Sequence, residues 1–236
     1  MKNTGTIALR ELTSYTTSPM AYVVGAVFLA LTGIFFGYSS ATYSSTSVSG
    51  YLGPGSLVLL LLGAMLTMRL IAEERKMGTL ELLLTAPVRD SEVIIGKFLG
   101  SLGLLTALIA LTLYYPLLLS IFGDPDWGPI SAGYLGLFLL GCAALSIGLF
   151  ASTLTSNQIV AAVVSGGILF ALWFVGQAAS FLPKDLGNTV AYFSLSKYYP
   201  DFTSGMIDTR GVVYYLSVTV LFLFLGIRSL ENSRWN

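Results

Sequence analysis

Residues 131–152 read SAGYLGLFLLGCAALSIGLFAS, an unbroken run without a charged side chain. A helix rises about 1.5 Å per residue, so a run of this length can cross the hydrocarbon core of a bilayer, which is about 30 Å thick. The run therefore predicts a membrane-spanning helix. The rest of the chain has the same character, because 55% of its 236 residues are hydrophobic and only 10% are charged. This composition excludes an ordinary soluble domain.

Five further apolar runs flank this one, so the sequence predicts an all-α membrane protein with six spans. The second run is short, but it reaches full length when it is extended back to Pro54, and Arg69 near its end can reach the membrane interface with its guanidinium. We expect one transmembrane domain over residues 1–236. The predicted spans are residues 20–38, 57–71, 98–121, 131–152, 159–181 and 212–227.

The basic residues predict the orientation of these spans, because lysine and arginine in short loops resist translocation. A topology with both termini in the cytoplasm leaves only three of the twelve basic residues outside: Lys184, Lys197 and Arg210. The remaining nine lie inside: Lys2, Arg10, Arg69, Arg75, Lys76, Arg89, Lys97, Arg228 and Arg234. No apolar run precedes residue 20, so we expect no cleavable signal peptide and a first span that stays in the protein.

Several functional classes are disfavoured by composition. The formal net charge is zero and the basic residues are scattered, which gives no electrostatic footprint for nucleic acid. The chain has no histidine and one cysteine, Cys142, so we expect neither a metal site nor a catalytic site, and we interpret Cys142 as a packing residue.

Two segments outside the spans have their own patterns. Residues 1–19 combine apolar and charged side chains before Pro19, which favours a short helix on the inner membrane surface; the alternative is a frayed polar tail. Residues 182–211 are rich in tyrosine and phenylalanine and predict short helices that dip into the outer interface; the alternative is an aromatic belt without a functional role.

Pairs of small residues predict close helix packing: Gly96 and Gly100, Gly103 and Ala107, Ala144 and Gly148, Ala162 and Gly166.

Residues 72–97 predict a compact charged elbow between the second and third spans, which we call the elbow. Gly78 breaks the helix, Thr79 can cap a new one, Pro87 ends it, and Asp90 or Ser91 can cap the helix that follows. This short helix carries an apolar face formed by Leu80, Leu82, Leu83 and Leu84. The face suggests docking, either to the membrane surface or to a groove of a partner protein. The alternative is a positively charged loop that only satisfies topology.

The predicted spans lack the chemistry of a self-sufficient pump. Every charged residue falls at a predicted helix end or in a loop, whereas ion-coupled carriers generally place ionisable groups inside the membrane. The sequence also contains no G-x-x-x-x-G-K-[ST] run to cradle the phosphates of ATP. Energy for uphill transport would therefore have to come from a partner.

Four motifs in this sequence resemble the ABC type-2 transporter permeases, in particular the subgroup that includes gliding-motility-associated and nitrous-oxide-reductase-associated permeases. The most specific is EERKMGTLELLLTAPV at residues 73–88. The others are RELTSYTTSPMAY at 10–22, GKFLG at 96–100 and GMIDTRGVVYYL at 205–216. They occur in the expected order over nearly the whole chain. The sequence departs from the family pattern at Gly211, where relatives often have an acidic residue, and at Lys197-Tyr198-Tyr199, which replaces a histidine-containing pattern.

The resemblance implies a six-helix permease with an N-terminal interfacial helix, a coupling helix in the elbow and re-entrant helices before the sixth span. It implies no enzymatic activity in this chain, because ATP and Mg²⁺ would bind to a separate cytoplasmic P-loop ATPase. A second permease subunit would complete the complex, with an additional membrane or periplasmic subunit as a further option. The location would be the plasma membrane of a prokaryote. The ATPase-coupling role falls on Glu73, Glu74, Gly78, Thr79, Glu81 and Pro87.

The expected function is therefore that of a permease subunit that couples ATP hydrolysis by its partner to substrate movement, with export favoured. The alternative is a mechanotransmission or scaffold subunit that transports no solute itself. A secondary carrier without an ATPase is disfavoured by the uncharged membrane interior.

Overall fold

The computed structural model of the chain describes residues 2–42, 49–79, 88–123 and 125–233, and the regular elements within these ranges are helices. They are α1 (Lys2–Thr17), α2 (Pro19–Thr42), α3 (Ser49–Thr67), α4 (Ala72–Lys76), α5 (Asp90–Thr112), α6 (Tyr114–Phe122), α7 (Trp127–Thr153), α8 (Gln158–Ala178), a 3-10 helix η1 (Ala179–Phe181), α9 (Lys184–Ala191), α10 (Tyr199–Thr203) and α11 (Thr209–Ser233).

Six helical stretches are long and apolar enough to cross a membrane, which confirms the predicted number of spans. The stretches extend beyond the predicted runs because the helices continue into polar residues at their ends. We number them spans 1 to 6: Pro19–Ser39, Gly50–Lys76, Asp90–Ile121, Trp127–Thr153, Gln158–Phe181 and Thr209–Ser233.

Span 4 lies at the centre of the bundle, where α7 packs against α3, α5, α8, α10 and α11. Spans 2 and 4 are the most buried of the six, while the other four expose most of their surface. Small residues permit this packing: a Cβ added to Gly63 of α3 would lie 3.0 Å from the Cβ of Ala144 in α7. Close backbone approach of this kind supplies much of the attraction between helices in lipid.

Helix α1 packs along α5, over a row of glycines on that helix. A Cβ at Gly96 would lie 2.8 Å from the Cβ of Ile7, and a Cβ at Gly100 would lie 2.6 Å from the Cβ of Glu11. The predicted N-terminal helix and the packing role of this glycine pair are therefore confirmed, and its position on the membrane surface stays a prediction. Gly166 differs, because a Cβ there would have no neighbour within 4 Å among the described residues.

Span 3 is interrupted at Leu113, between α5 and α6, and proline chemistry explains the break. Pro116 has no N–H to donate to the carbonyl of Thr112, four residues earlier in the chain. The hydroxyl of Tyr134 donates to that carbonyl instead, at 2.8 Å. This hydrogen bond gives the buried carbonyl of Thr112 a donor inside the membrane span, where water is not available as a partner.

The structure corrects one detail of the predicted elbow, the cap of the helix that follows it; the helix that Thr79 is predicted to cap lies outside the described residues, so that cap stays a prediction. Helix α5 begins at Asp90 and is preceded by Arg89, whose backbone N–H donates to the Glu92 carboxylate at 3.3 Å; a cap by Asp90 or Ser91 was the wrong expectation. The Thr79 hydroxyl donates back to the carbonyl of Glu74 at 3.3 Å. The predicted break at Gly78 is confirmed, because its φ of 71° lies in the left-handed region that favours glycine.

Short helices form in residues 182–211, as the aromatic pattern predicts, and this segment is anchored to the bundle. The backbone N–H of Leu195 donates to the carbonyl of Leu172 in α8, and the hydroxyl of Tyr199 donates to the carbonyl of Leu52 in α3. Phe202 is fully buried against α7 and α11. Leu195, Tyr199 and Phe202 thus anchor the segment to the core, while Tyr192 and Phe193 are exposed. The position of the segment in the outer interface stays a prediction.

Candidate coupling site

Four of the six predicted coupling residues lie at the end of the bundle where α1, α4 and the start of α5 meet, which we call the elbow end. Glu73 and Glu74 are on α4, and Gly78 and Thr79 follow it directly. Glu81 and Pro87, together with the leucine face of the elbow, lie outside the described residues. The geometry of the site is therefore that of α4 and its surroundings.

A buried lysine joins the elbow to the N-terminal helix. The Nζ of Lys97 in α5 donates to Glu74 Oε1 at 2.8 Å and to Glu11 Oε2 at 3.2 Å. The Lys97 side chain is only 3% exposed, whereas Glu11 and Glu74 are 14% and 23% exposed. Two carboxylates around one ammonium make the desolvation of that charge tolerable. Three separate elements, α1, α4 and α5, are thereby held at one point.

Arg69 lies beside this cluster, in the residues 68–71 that separate α3 from α4. Its Nη1 donates to the Ser18 hydroxyl at 2.8 Å, and its guanidinium lies 4.7 Å from the centre of the Tyr15 ring. The Tyr15 hydroxyl donates to the carbonyl of Leu66 at 2.8 Å. Burial raises the pKa of the Tyr15 phenol, so it stays a neutral donor in that bond. Arg69 is thus part of the same polar surface rather than a free interfacial group.

One serine of span 4 organises the break between α3 and α4. The Ser152 hydroxyl accepts from the backbone N–H of Ile71 at 3.1 Å and of Ala72 at 3.0 Å, and it donates to the carbonyl of Met68 at 3.2 Å. All three backbone groups belong to the helix break or to the first residue after it. Ser152 therefore supplies the hydrogen bonds that the interrupted helix has lost.

The elbow also contacts span 6. Arg75 Nη2 donates to the Ser233 hydroxyl at 2.8 Å, and nearby the Thr153 hydroxyl of span 4 donates to the Ser229 hydroxyl of span 6 at 2.9 Å. The short helix α4 is therefore hydrogen-bonded to spans 3, 4 and 6, and through Lys97 it is linked to α1. A displacement of α4 would be passed to each of these elements.

A polar cavity of about 430 Å³ opens between α1, α4 and α5 at the elbow end. Acidic and basic side chains line the cavity. The coupling candidates Glu73, Glu74 and Thr79 are among the lining residues. The cavity brings side chains of α1, α4 and α5 within reach of one ligand or one partner side chain.

Sequence reasoning missed Lys97 and Ser152 as parts of this site. Lys97 was assigned to a helix end, which its position in α5 confirms, but its burial between two carboxylates was not foreseen. The glycine row beside it was the available signal, because Gly96 and Gly100 admit α1 and so bring Glu11 to the lysine. Nothing in the sequence distinguishes Ser152 from the other serines of span 4.

The family model described as ABC-2 family transporter protein matches residues 7–234. The chain belongs to the ABC-2 transporter family. It is 29% identical over 200 residues to the protein named probable multidrug ABC transporter permease YbhS of Escherichia coli strain K12, and equally so to its counterpart in strain O157:H7. Each match covers 77% of this chain and 50% of the relative, so the chain spans about half the length of the curated relatives it matches.

The six-span bundle is therefore that of a multi-pass membrane protein of the ABC-2 family. The resemblance inferred from the elbow and the three weaker motifs is therefore confirmed at the level of the family.

Proposed function

We propose that this permease couples ATP hydrolysis by a separate cytoplasmic ATPase to movement of its spans, and that the elbow is where the ATPase docks. The single observation that best supports the proposal is the bridge from Lys97 to Glu74 and Glu11. Because the lysine is buried and both carboxylates are on other elements, a push on α4 moves α1 and span 3 together. ATP and Mg²⁺ would be bound by the ATPase.

The hydrogen bonds of Ser152 and Arg75 extend the same path to spans 4 and 6. Span 4 is the packed centre of the bundle, so motion that reaches it affects every span in contact with α7. This network of hydrogen bonds supports an α4 that moves as a rigid body with the spans, in preference to a loop that only connects spans 2 and 3. The coupling role of Glu81 and Pro87 rests on the resemblance alone.

A second permease subunit is part of the proposal, and exposed surface on spans 1 and 5 supports it. Val23 and Val27 of span 1 and Ile159 and Val163 of span 5 are exposed, and Gly166 has no neighbour within 4 Å in the described chain. A helix from another copy could approach this surface closely. We further propose export as the direction, following the family resemblance, and a location in the plasma membrane of a prokaryote with both termini in the cytoplasm.

Charge reversal in the elbow tests the docking proposal. We expect Glu81→Arg and Glu73→Arg to reduce co-purification of the ATPase and to reduce its stimulation by the permease. Glu231→Arg is the matched control, because Glu231 is an exposed carboxylate at the end of α11 and pairs only with neighbouring Arg228 among the described residues. Normal ATPase association in both elbow variants would refute the assignment.

Transport itself needs a separate measurement. Proteoliposomes that contain the permease and its ATPase should show ATP-dependent flux of a solute. Stimulated ATP hydrolysis without flux of any tested solute would instead support the alternative of a mechanotransmission or scaffold subunit.

A further inference from the structure

The polar cavity at the elbow end is lined by more charged side chains than the three that form the bridge of Lys97 with Glu11 and Glu74. Arg10, Arg69 and Lys97 lie around it together with Glu11, Glu73 and Glu74. Lys97 is fully engaged by two carboxylates, so the remaining guanidinium and carboxylate groups are the ones available to a ligand. A ligand that carries only one sign of charge would leave half of this lining without a partner.

Two buried atoms of residues that line the cavity indicate the charges that a complementary ligand would carry. Arg69 Nη2, a donor, and Glu74 Oε2, an acceptor, are both shielded from solvent and have no hydrogen-bond partner in the described part of the chain. Buried polar atoms without partners are costly, and in native proteins such atoms usually acquire a partner that the protein alone does not provide. Both residues border the cavity, so a ligand bound there would lie beside these two unsatisfied charged groups.

The surroundings of the cavity are those of a membrane interface. Ser18 immediately precedes span 1, Leu70 lies near the end of span 2, and Lys97 lies near the start of span 3. An apolar depression of only about 10 Å³ adjoins the cavity at Arg69, and it is lined also by Tyr15 of α1, Val24 of span 1 and Met65 of span 2. Polar and apolar surface thus meet at one residue, an arrangement that fits an amphiphile.

We propose that this cavity binds the headgroup of a zwitterionic phospholipid, with its phosphate at Arg69 and Arg10, its primary ammonium at Glu74 and Glu73, and its acyl chains in the surrounding lipid. A primary ammonium can donate hydrogen bonds to a carboxylate, whereas a quaternary ammonium cannot. The volume of about 430 Å³ lies within the range of small-molecule sites, roughly 300–1,000 Å³. The site goes beyond the proposed coupling function and does not depend on it.

Lipid exchange followed by native mass spectrometry of the full chain tests the proposal. The chain, depleted of lipid in detergent, is given phosphatidylethanolamine, phosphatidylcholine or phosphatidylglycerol with identical acyl chains. We expect phosphatidylethanolamine to be retained about tenfold more strongly than the other two, since each lacks one charge-assisted hydrogen bond. Equal retention of the three lipids would overturn the proposal, and this comparison needs no variant that must fold.

Two variants locate the site. Glu74→Gln keeps an amide oxygen that can face Lys97 but replaces the free acceptor, and we expect it to reduce phosphatidylethanolamine retention about tenfold while phosphatidylglycerol retention stays unchanged. Arg69→Gln should weaken both lipids, because the phosphate is common to them. Arg228→Gln is the control, since Arg228 is an exposed arginine with one carboxylate partner. If neither cavity variant differs from this control, the site is wrong.

Two further experiments distinguish a bound lipid from other occupants of the cavity. Glycerophosphoethanolamine, the soluble headgroup, should compete with the lipid only at much higher concentration, because it has no acyl chains to hold it at the membrane interface; competition at equal concentration would overturn the lipid as the occupant in favour of a soluble ligand. Loss of ATPase association in both cavity variants, together with equal retention of all three lipids, would assign the cavity to side chains of the ATPase and would refute the lipid site.

Discussion

Lys97 of span 3 donates to Glu74 of the elbow at 2.8 Å, with the lysine side chain 3% exposed. Truncation of the lysine would leave two partly buried carboxylates without their common partner. We expect Lys97→Met to lower the free energy of unfolding by about 3 kcal/mol and to weaken the protection of α1 against hydrogen exchange. Denaturant unfolding in detergent micelles measures the first effect.

The exposed ion pair of Arg228 and Glu231, also 2.8 Å long, is the control for that experiment. Because surface pairs contribute about 0–1 kcal/mol, Arg228→Met should be close to neutral. Similar losses in both variants would show that Lys97 stabilises the fold through general burial rather than through its bridge.

Ser152→Ala should loosen the junction between α3 and α4. The substitution leaves the backbone N–H groups of Ile71 and Ala72 without their acceptor, and each unsatisfied buried group costs about 1–3 kcal/mol. Ser146→Ala is the matched control, because Ser146 is equally buried on the same helix but only donates to the carbonyl of Ala143 in its own helix. Hydrogen exchange at Ile71 and Ala72 should accelerate in the first variant alone, and equal exchange in both variants would contradict the role given to Ser152.

Gly100→Ala should displace α1 from α5. An added Cβ would lie 2.6 Å from the Cβ of Glu11 and 3.0 Å from the carbonyl oxygen of Ala8, both too close without backbone movement. Overpacking of this kind typically costs about 1–3 kcal/mol. Gly37→Ala on span 1, with no neighbour within 4 Å, serves as the control. Thermal unfolding in detergent compares the two, and an unchanged midpoint in Gly100→Ala would argue against the close contact of α1 with α5.

Gly211→Asp should detach part of the 182–211 segment. A Cβ at this position would lie 2.9 Å from Cε2 of Phe202 and 3.2 Å from the Cβ of Tyr198, so an acidic side chain collides with the aromatic anchor. We expect faster trypsin cleavage at Lys197 and Arg210 in reconstituted vesicles. Gly53→Ala, where an added Cβ has no neighbour within 4 Å, should leave cleavage unchanged.

Much of the site was open to prediction because it follows from local chemistry. The helix breaks at Gly78 because this residue has a positive φ, which glycine adopts readily. The glycine pair Gly96 and Gly100 predicts that another helix packs closely against α5. The identity of that helix could not be predicted, since interfacial helices and spans both accept a small-residue surface. The cap of α5 was predicted incorrectly because aspartate and serine offer competing hydrogen bonds, and neighbouring elements decide among them.

The sequence by itself determined the number of spans and the family, because a bilayer requires each crossing segment to be apolar over about 20 residues and the elbow motif is contiguous in the chain. Only the tertiary structure decided which polar groups meet at the elbow end. Glu11, Glu74 and Lys97 come from three separate elements, and Ser152 reaches the backbone of Ile71 from span 4. Charge and hydroxyl groups are individually unspecific in a sequence, so their pairing is fixed by packing that brings distant segments together and excludes water around them.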